Sequence, residues 1–182
     1  MTSGPPSAGL HGSPGRRRDR TLLTSSRATR FPATPAAAFR TLASARPGPH
    51  WYADALPLRF RALLDVLLGG AGAAGEPSGR ALLREGELVG FWRVLSCGRG
   101  PDGHRLLLEA EVRAPGRVRL ETLVRPAGRG RDAGAVVSQE VRFDPAGLLG
   151  AAYLVADLPA REALVELVHR RALAEVRSAL ED

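Results

Sequence analysis

Between Leu88 and Phe143 apolar and polar positions alternate in four successive runs. They cover about 88–96, 105–114, 117–125 and 135–143, and turns rich in Gly, Pro and Asp break them apart. Successive side chains of a strand point to opposite faces, so each run sorts its own residues. Leu106, Leu108, Ala110 and Val112 fall on one face, with Glu109, Glu111 and Arg113 on the other. Val118, Leu120, Thr122 and Val124 oppose Arg117, Arg119 and Glu121; Val137, Gln139, Val141 and Phe143 oppose Ser138, Glu140 and Arg142. The pattern predicts a half-buried antiparallel sheet whose outer face is a water-facing lattice of Arg and Glu.

The period then changes from two to 3.6. Leu164, Val165, Leu167, Val168, Ala172, Val176, Ala179 and Leu180 recur at steps of three and four, predicting an amphipathic helix over about 158–180. Glu162, Glu166, His169, Arg170 and Arg177 are assigned to its solvated side, with Glu166 and Arg170 in the favourable i, i+4 order. Upstream, a short strand over 26–31 ends at Pro32. Thr34 is placed as an N-cap with Pro35 at the first helical position, and Pro47-Gly48-Pro49 stops that helix after Ala45. A second helix is expected over about 57–68, closed by Gly69-Gly70. The fold class is therefore α+β: an antiparallel sheet wrapped around a long C-terminal helix, with two short helices after the first strand and room between sheet and helix for a small molecule.

Composition changes this picture mainly by exclusion. The chain has 182 residues, of which 44% are hydrophobic, enough for one sizeable core. Lys, Ile and Asn are absent, as a GC-rich genome would produce, and all 26 basic residues are Arg. Without Lys there is no Schiff-base lysine and no Walker A loop. A lone Cys97, read as a packed thiol, excludes an intrachain disulfide and multi-cysteine metal sites, which fits a reducing, cytoplasmic setting. The net charge of +7 is concentrated at one end, where Arg16, Arg17, Arg18, Arg20, Arg27 and Arg30 face Asp19 alone. Residues 1–32 thus carry +5 and the remaining 150 only +2; residues 1–24 read as a disordered Gly/Pro/Ser/Arg-rich tail and 25–182 as a single domain, so nucleic acid is not the expected partner. No run approaches the ~18 apolar residues of a membrane span.

Three candidate chemistries are set aside. Gly70 to Gly75 matches the G-x-G-x-x-G spacing of dinucleotide turns, but a helix precedes it and Glu76-Pro77 follows, so no cofactor is expected. Glu166 and His169 have a metal-motif spacing without matching ligands elsewhere, and no metal is expected. His50 and Asp54 are a conceivable base and orienter without a recognisable nucleophile.

What remains is an apolar wall with one polar interruption. Gln139 has inward parity between Val137 and Val141, where a buried amide must find a partner in Thr122, a water or a ligand. Trp92, Trp51 and Tyr52 supply aromatic surface, and Val141 and Phe143 extend the same strand face. Gln139, Trp92, Thr122, Trp51, Tyr52, Val141 and Phe143 form the candidate ligand-binding set, with no catalytic residue assigned.

Gly90-Phe91-Trp92-Arg93-Val94, Ala114-Pro115-Gly116-Arg117, Gln139 and Arg142-Phe143-Asp144-Pro145 with Gly147-Leu148-Leu149-Gly150 resemble the domain-of-unknown-function family numbered 2867. Tyr153, Leu158-Pro159, Trp51-Tyr52-Ala53-Asp54 and Leu63-Leu64-Asp65 fit it as well. That family is similar to the helix-grip (SRPBCC, START-like) superfamily, which implies the same sheet-and-helix fold around a cavity. In many relatives a Rossmann domain precedes this one, and residues 1–25 are not expected to fold one. Departures occur at Arg119, Leu154-Val155 and Arg161, where relatives carry Trp, aromatics and His. The expected function is that of a non-catalytic or weakly catalytic domain that binds a small hydrophobic molecule, as monomer or homodimer. The alternatives are a cyclase- or aromatase-like enzyme acting on a lipid- or polyketide-like substrate, and an accessory partner of a separately encoded short-chain dehydrogenase.

Overall fold

A computed structural model describes residues 24–54, 75–111, 116–130, 134–145 and 147–181, the last with side chains from Glu162 onward. The expected tail, and the helix expected over 57–68, lie outside the described residues. Six antiparallel strands form one sheet: β1 (Thr24–Phe31), β2 (Leu88–Val89), β3 (Trp92–Gly100), β4 (Gly103–Ala110), β5 (Gly116–Pro126) and β6 (Ala135–Pro145), in the order β1-β6-β5-β4-β3-β2. Among the described residues the helices are α1 (Pro35–Leu42), α2 (Trp51–Asp54) and α3 (Gly147–Glu181). The sheet is curved, and α3 lies over β6 and β1, while α1 covers β4, β5 and β6 and also touches α3. This is the helix-grip arrangement.

The alternation holds. Leu106, Leu108, Leu120, Thr122, Val124, Val137, Gln139, Val141 and Phe143 are all buried. On the opposite face Arg105 meets Glu121 at 2.7 Å, Arg119 meets Glu109 at 2.8 Å, Arg142 meets Asp144 at 2.9 Å, and Arg93 pairs with Glu111. These water-facing pairs add little stability each.

Local signals also hold at α1, where the Thr34 hydroxyl accepts from the Ala37 amide at 3.2 Å and Pro35 opens the helix. Its end comes earlier than expected, at Leu42. The chain leaves the helix because the 43–45 backbone pairs elsewhere: the Leu83 amide donates to the Ala43 carbonyl at 2.9 Å and the Gly79 amide to the Ala45 carbonyl at 2.7 Å. A long-range ladder has overridden good helix formers.

The run 88–96 is not one strand. Leu88 pairs with Arg93 and Val89 with Trp92, a two-residue hairpin turning on Gly90 and Phe91. Gly90 makes it possible with φ +58°, a left-handed conformation that costs a side-chain-bearing residue about 1–2 kcal/mol. Gly75 bridges Gly90 through two backbone hydrogen bonds, and a Cβ there would lie 2.1 Å from the Leu88 carbonyl oxygen. Gly75 therefore serves close backbone approach; residues 70–74 of the glycine pattern lie outside the described set. At the other end, α3 begins some eleven residues before the expected start and runs through Pro159, whose missing N–H removes one intrahelical bond.

Candidate functional site

The inward face of β5 and β6 carries two polar side chains, and the register Thr122↔Gln139 sets them side by side. The Gln139 amide donates to the Thr122 hydroxyl at 3.1 Å. Both residues are fully buried. The third member comes from α3: His169 Nδ1 lies 3.3 Å from Gln139 Oε1, and its Nε2 lies 2.9 Å from the Thr29 hydroxyl on β1. Four side chains from four elements thus form one hydrogen-bonded row, Thr122–Gln139–His169–Thr29.

His169 is where the sequence expectation fails. Assigned to the solvated side of the helix, it is 4% exposed. The buried stripe of α3 is Val165, Val168, Ala172 and Val176, and His169 stands four residues after Val165 and three before Ala172, within that stripe. Leu167, counted as inward, is 40% exposed. The spacing alone places His169 in the stripe; a titratable ring enters a core only where partners await it, and periodicity does not show those partners.

Burial pushes the His169 imidazole below its ordinary value, Glu166 pulls it up and Arg27 presses it down again. The neutral ring fits its neighbours: Nδ1–H donates to Gln139 Oε1 and Nε2 accepts from the Thr29 hydroxyl. One N–H of Gln139 and the hydroxyl hydrogen of Thr122 are then left without an acceptor among the described residues. Alongside, Arg27 bonds Glu166 at 2.7 Å and Glu162 at 3.1 Å, and Arg170 bonds Glu166 at 2.6 Å. Arg27 first, and Arg170 next, hold the Glu166 carboxyl below the usual carboxylate range. Arg27 thereby clamps the edge strand to α3 beside His169.

The aromatic candidates gather elsewhere. Trp92 stands on β3, three strands from β6 and so about 14 Å across the sheet. Its Nε1 donates to the Tyr52 carbonyl at 2.8 Å, the Trp51 Nε1 donates to the Leu42 carbonyl at 2.9 Å, and the Tyr52 hydroxyl donates to the Ser44 carbonyl at 2.8 Å. All three polar ends thus tie the helices to each other and to β3. Val141 and Phe143 are buried on β6 with Gln139, whereas Arg117 is exposed and does not join it.

His50 is also buried, and its carboxylate is Glu175 of α3 at 2.9 Å, with the Arg46 carbonyl 2.7 Å from the other ring nitrogen. Glu175 also receives the Trp51 amide at 2.9 Å. This group anchors α2 to α3. Among the described residues no cluster of three or more His, Cys, Asp or Glu is placed to hold a metal ion, and no helix is long and apolar enough to cross a membrane.

A sequence profile described as a protein of unknown function (DUF2867) matches residues 18–168. A search of curated proteins finds no match. Among solved structures, a Rhodobacter sphaeroides protein is 18% identical, with 88% of this chain and 95% of that one covered at a TM-score of 0.47. A Chromobacterium violaceum protein is 13% identical over 88% and 99%, at 0.42. Ara h 8.0201 is 10% identical over 83% and 97%, at 0.36.

Proposed function

We propose, from the premise that this chain belongs to the DUF2867 family of proteins of unknown function, that it holds a small, mostly apolar molecule between the inner sheet face and α3. The ligand carries one acceptor group, such as a carbonyl, that Gln139 and Thr122 bind. The observation behind this reading is the pair of donor hydrogens left over on two fully buried side chains. A buried donor without an acceptor costs roughly 1–3 kcal/mol, so an arriving acceptor offsets a standing penalty. Val141 and Phe143 supply apolar wall on the same strand face, and the aromatic group at Trp92, Trp51 and Tyr52 holds the frame.

Catalysis is a second reading, favoured by one observation: His169, neutral and buried, is in contact with Gln139. Its two ring nitrogens are both engaged within the row, which suits orientation of Gln139 better than proton transfer to a substrate.

Native mass spectrometry of freshly purified protein, with identification of whatever denaturation releases, tests the binding reading. The expected result is a discrete apolar molecule bearing a carbonyl or hydroxyl, lost from a folded Gln139→Leu variant. A bare chain that also fails to enhance the fluorescence of 8-anilinonaphthalene-1-sulfonate would overturn it.

A further inference from the structure

The two edges of the sheet differ. At one, β2 is two residues long, a blunted edge; at the other, β1 runs for eight residues and, among the described residues, has β6 on one side only. Long edges present unpaired N–H and C=O groups that invite a further strand. The outward side chains of β1 are small: Ser26 and Ala28, then Arg30. Arg27, the inward charge that would ordinarily discourage pairing, is neutralised by Glu162 and Glu166. Beside the edge, Leu173, Arg177 and Leu180 of α3 and Phe31 of β1 line an open groove of about 390 Å³, with Leu180 49% exposed.

Charge indicates what fits there. On the outer lattice Glu109, Glu111, Glu121 and Asp144 each have an Arg partner. Glu140 forms no ion pair with a described residue, although it stands directly opposite Glu121, and its electrostatic neighbour Arg142 is already bonded to Asp144; Arg30 likewise forms no ion pair with a described residue. We infer that β1 is a homodimer interface, in which two copies pair their β1 strands antiparallel around a two-fold axis at Ala28.

The register follows from elementary constraints. A two-fold axis perpendicular to the sheet keeps both inner faces on the same side, so inward residues must face inward residues. Centring on Arg27 would oppose two like charges. Centring on Ala28 puts Ala28 against Ala28, Arg27 against Thr29, Ser25 against Phe31, and Arg30 against Ser26. Ser26 in turn pairs with Glu140 on β6. Arg30 of the second copy then lies two strand spacings, about 9.6 Å, from Glu140, with only a serine between them. A guanidinium on its three-carbon stem and a carboxylate on its two-carbon stem span that gap. Small outward side chains at Ser26, Ala28 and Ser138 leave a hollow of about 360 Å³ beside Glu140 that admits it. On the inner face the grooves at Leu173 and Leu180 of the two copies flank the joint.

Sedimentation equilibrium of the full chain across micromolar concentrations tests this. The expected result is a two-chain mass, with dimerisation weakened about tenfold or more by Arg30→Glu or by Glu140→Arg and restored in the double charge swap. Ala28→Arg, which sets two guanidinium groups face to face across the axis, should yield monomer even in the charge-swapped background. Circular dichroism of each variant establishes that the exposed substitutions leave the fold intact. A monomer at every concentration overturns the inference. So does a dimer that Ala28→Arg leaves unchanged, or one that the double swap does not restore.

Discussion

The Oε1 of Gln139 lies 3.3 Å from Nδ1 of His169, joining the middle of β6 to the middle of α3 inside the core. Thirty residues of sequence separate them, yet each completes a bond that the other cannot replace with water. Gln139 is fully buried and His169 nearly so. The contact fixes how α3 is rotated on the sheet, because a small roll of the helix would leave both groups unsatisfied.

Gln139→Leu tests that role. The substitution preserves shape and removes the acceptor for His169 and the donor for Thr122, leaving polar atoms stranded in an apolar site. Stability should fall by ~1–3 kcal/mol. Thermal unfolding should show Tm lowered by roughly 2–4 °C per kcal/mol for a chain of this length.

His169 also makes stability depend on pH. Its folded value is depressed, mainly by burial, so below the unfolded value of about 6.5 the unfolded chain binds a proton that the folded chain resists. Stability is full above that pH and declines as pH falls. Urea midpoints should drop between pH 7.5 and 5.5 in the native protein, and the drop should be smaller in His169→Gln. Equal slopes for the two proteins would show that His169 is not the group responsible.

Gly75→Ala and Gly90→Ala should differ in severity. At Gly90 the space is open, with the nearest atom 3.7 Å from a new Cβ, and only the left-handed backbone penalises alanine, by about 1–2 kcal/mol. At Gly75 the new Cβ would meet the Leu88 carbonyl at 2.1 Å, so the bridge to the β2–β3 hairpin must open. Chemical denaturation should rank Gly75→Ala as clearly the worse.

Cys97 should be a sluggish thiol. Burial, with a smaller push from Glu87, raises it to about 11, so little thiolate exists at pH 8. Reaction with an aromatic disulfide reagent should be slow in the native protein and fast in urea. Rapid modification of folded protein would place the sulfur in water.

Much of this architecture is written locally. Alternation over 105–143 settles which residues of β4, β5 and β6 face inward, because a period of two leaves no other way to bury Leu106, Leu120 or Val137 together. Thr34-Pro35 marks the start of α1 for an equally local reason, a side-chain acceptor and a preset φ. Gln139 and Thr122 are legible as a buried polar pair from parity alone. Pairings across the chain are what the tertiary structure decides. Ala43 and Ala45 leave α1 because the 79–83 backbone bonds them, and the run after Leu88 folds into a hairpin because Gly90 can turn and Gly75 can approach. His169 enters the core because α3 settles with Val165, Ala172 and Val176 against β1 and β6, where Gln139 and Thr29 satisfy both of its nitrogens. Periodicity is a property of one segment; burial of a titratable ring depends on partners that only the packed elements bring within reach.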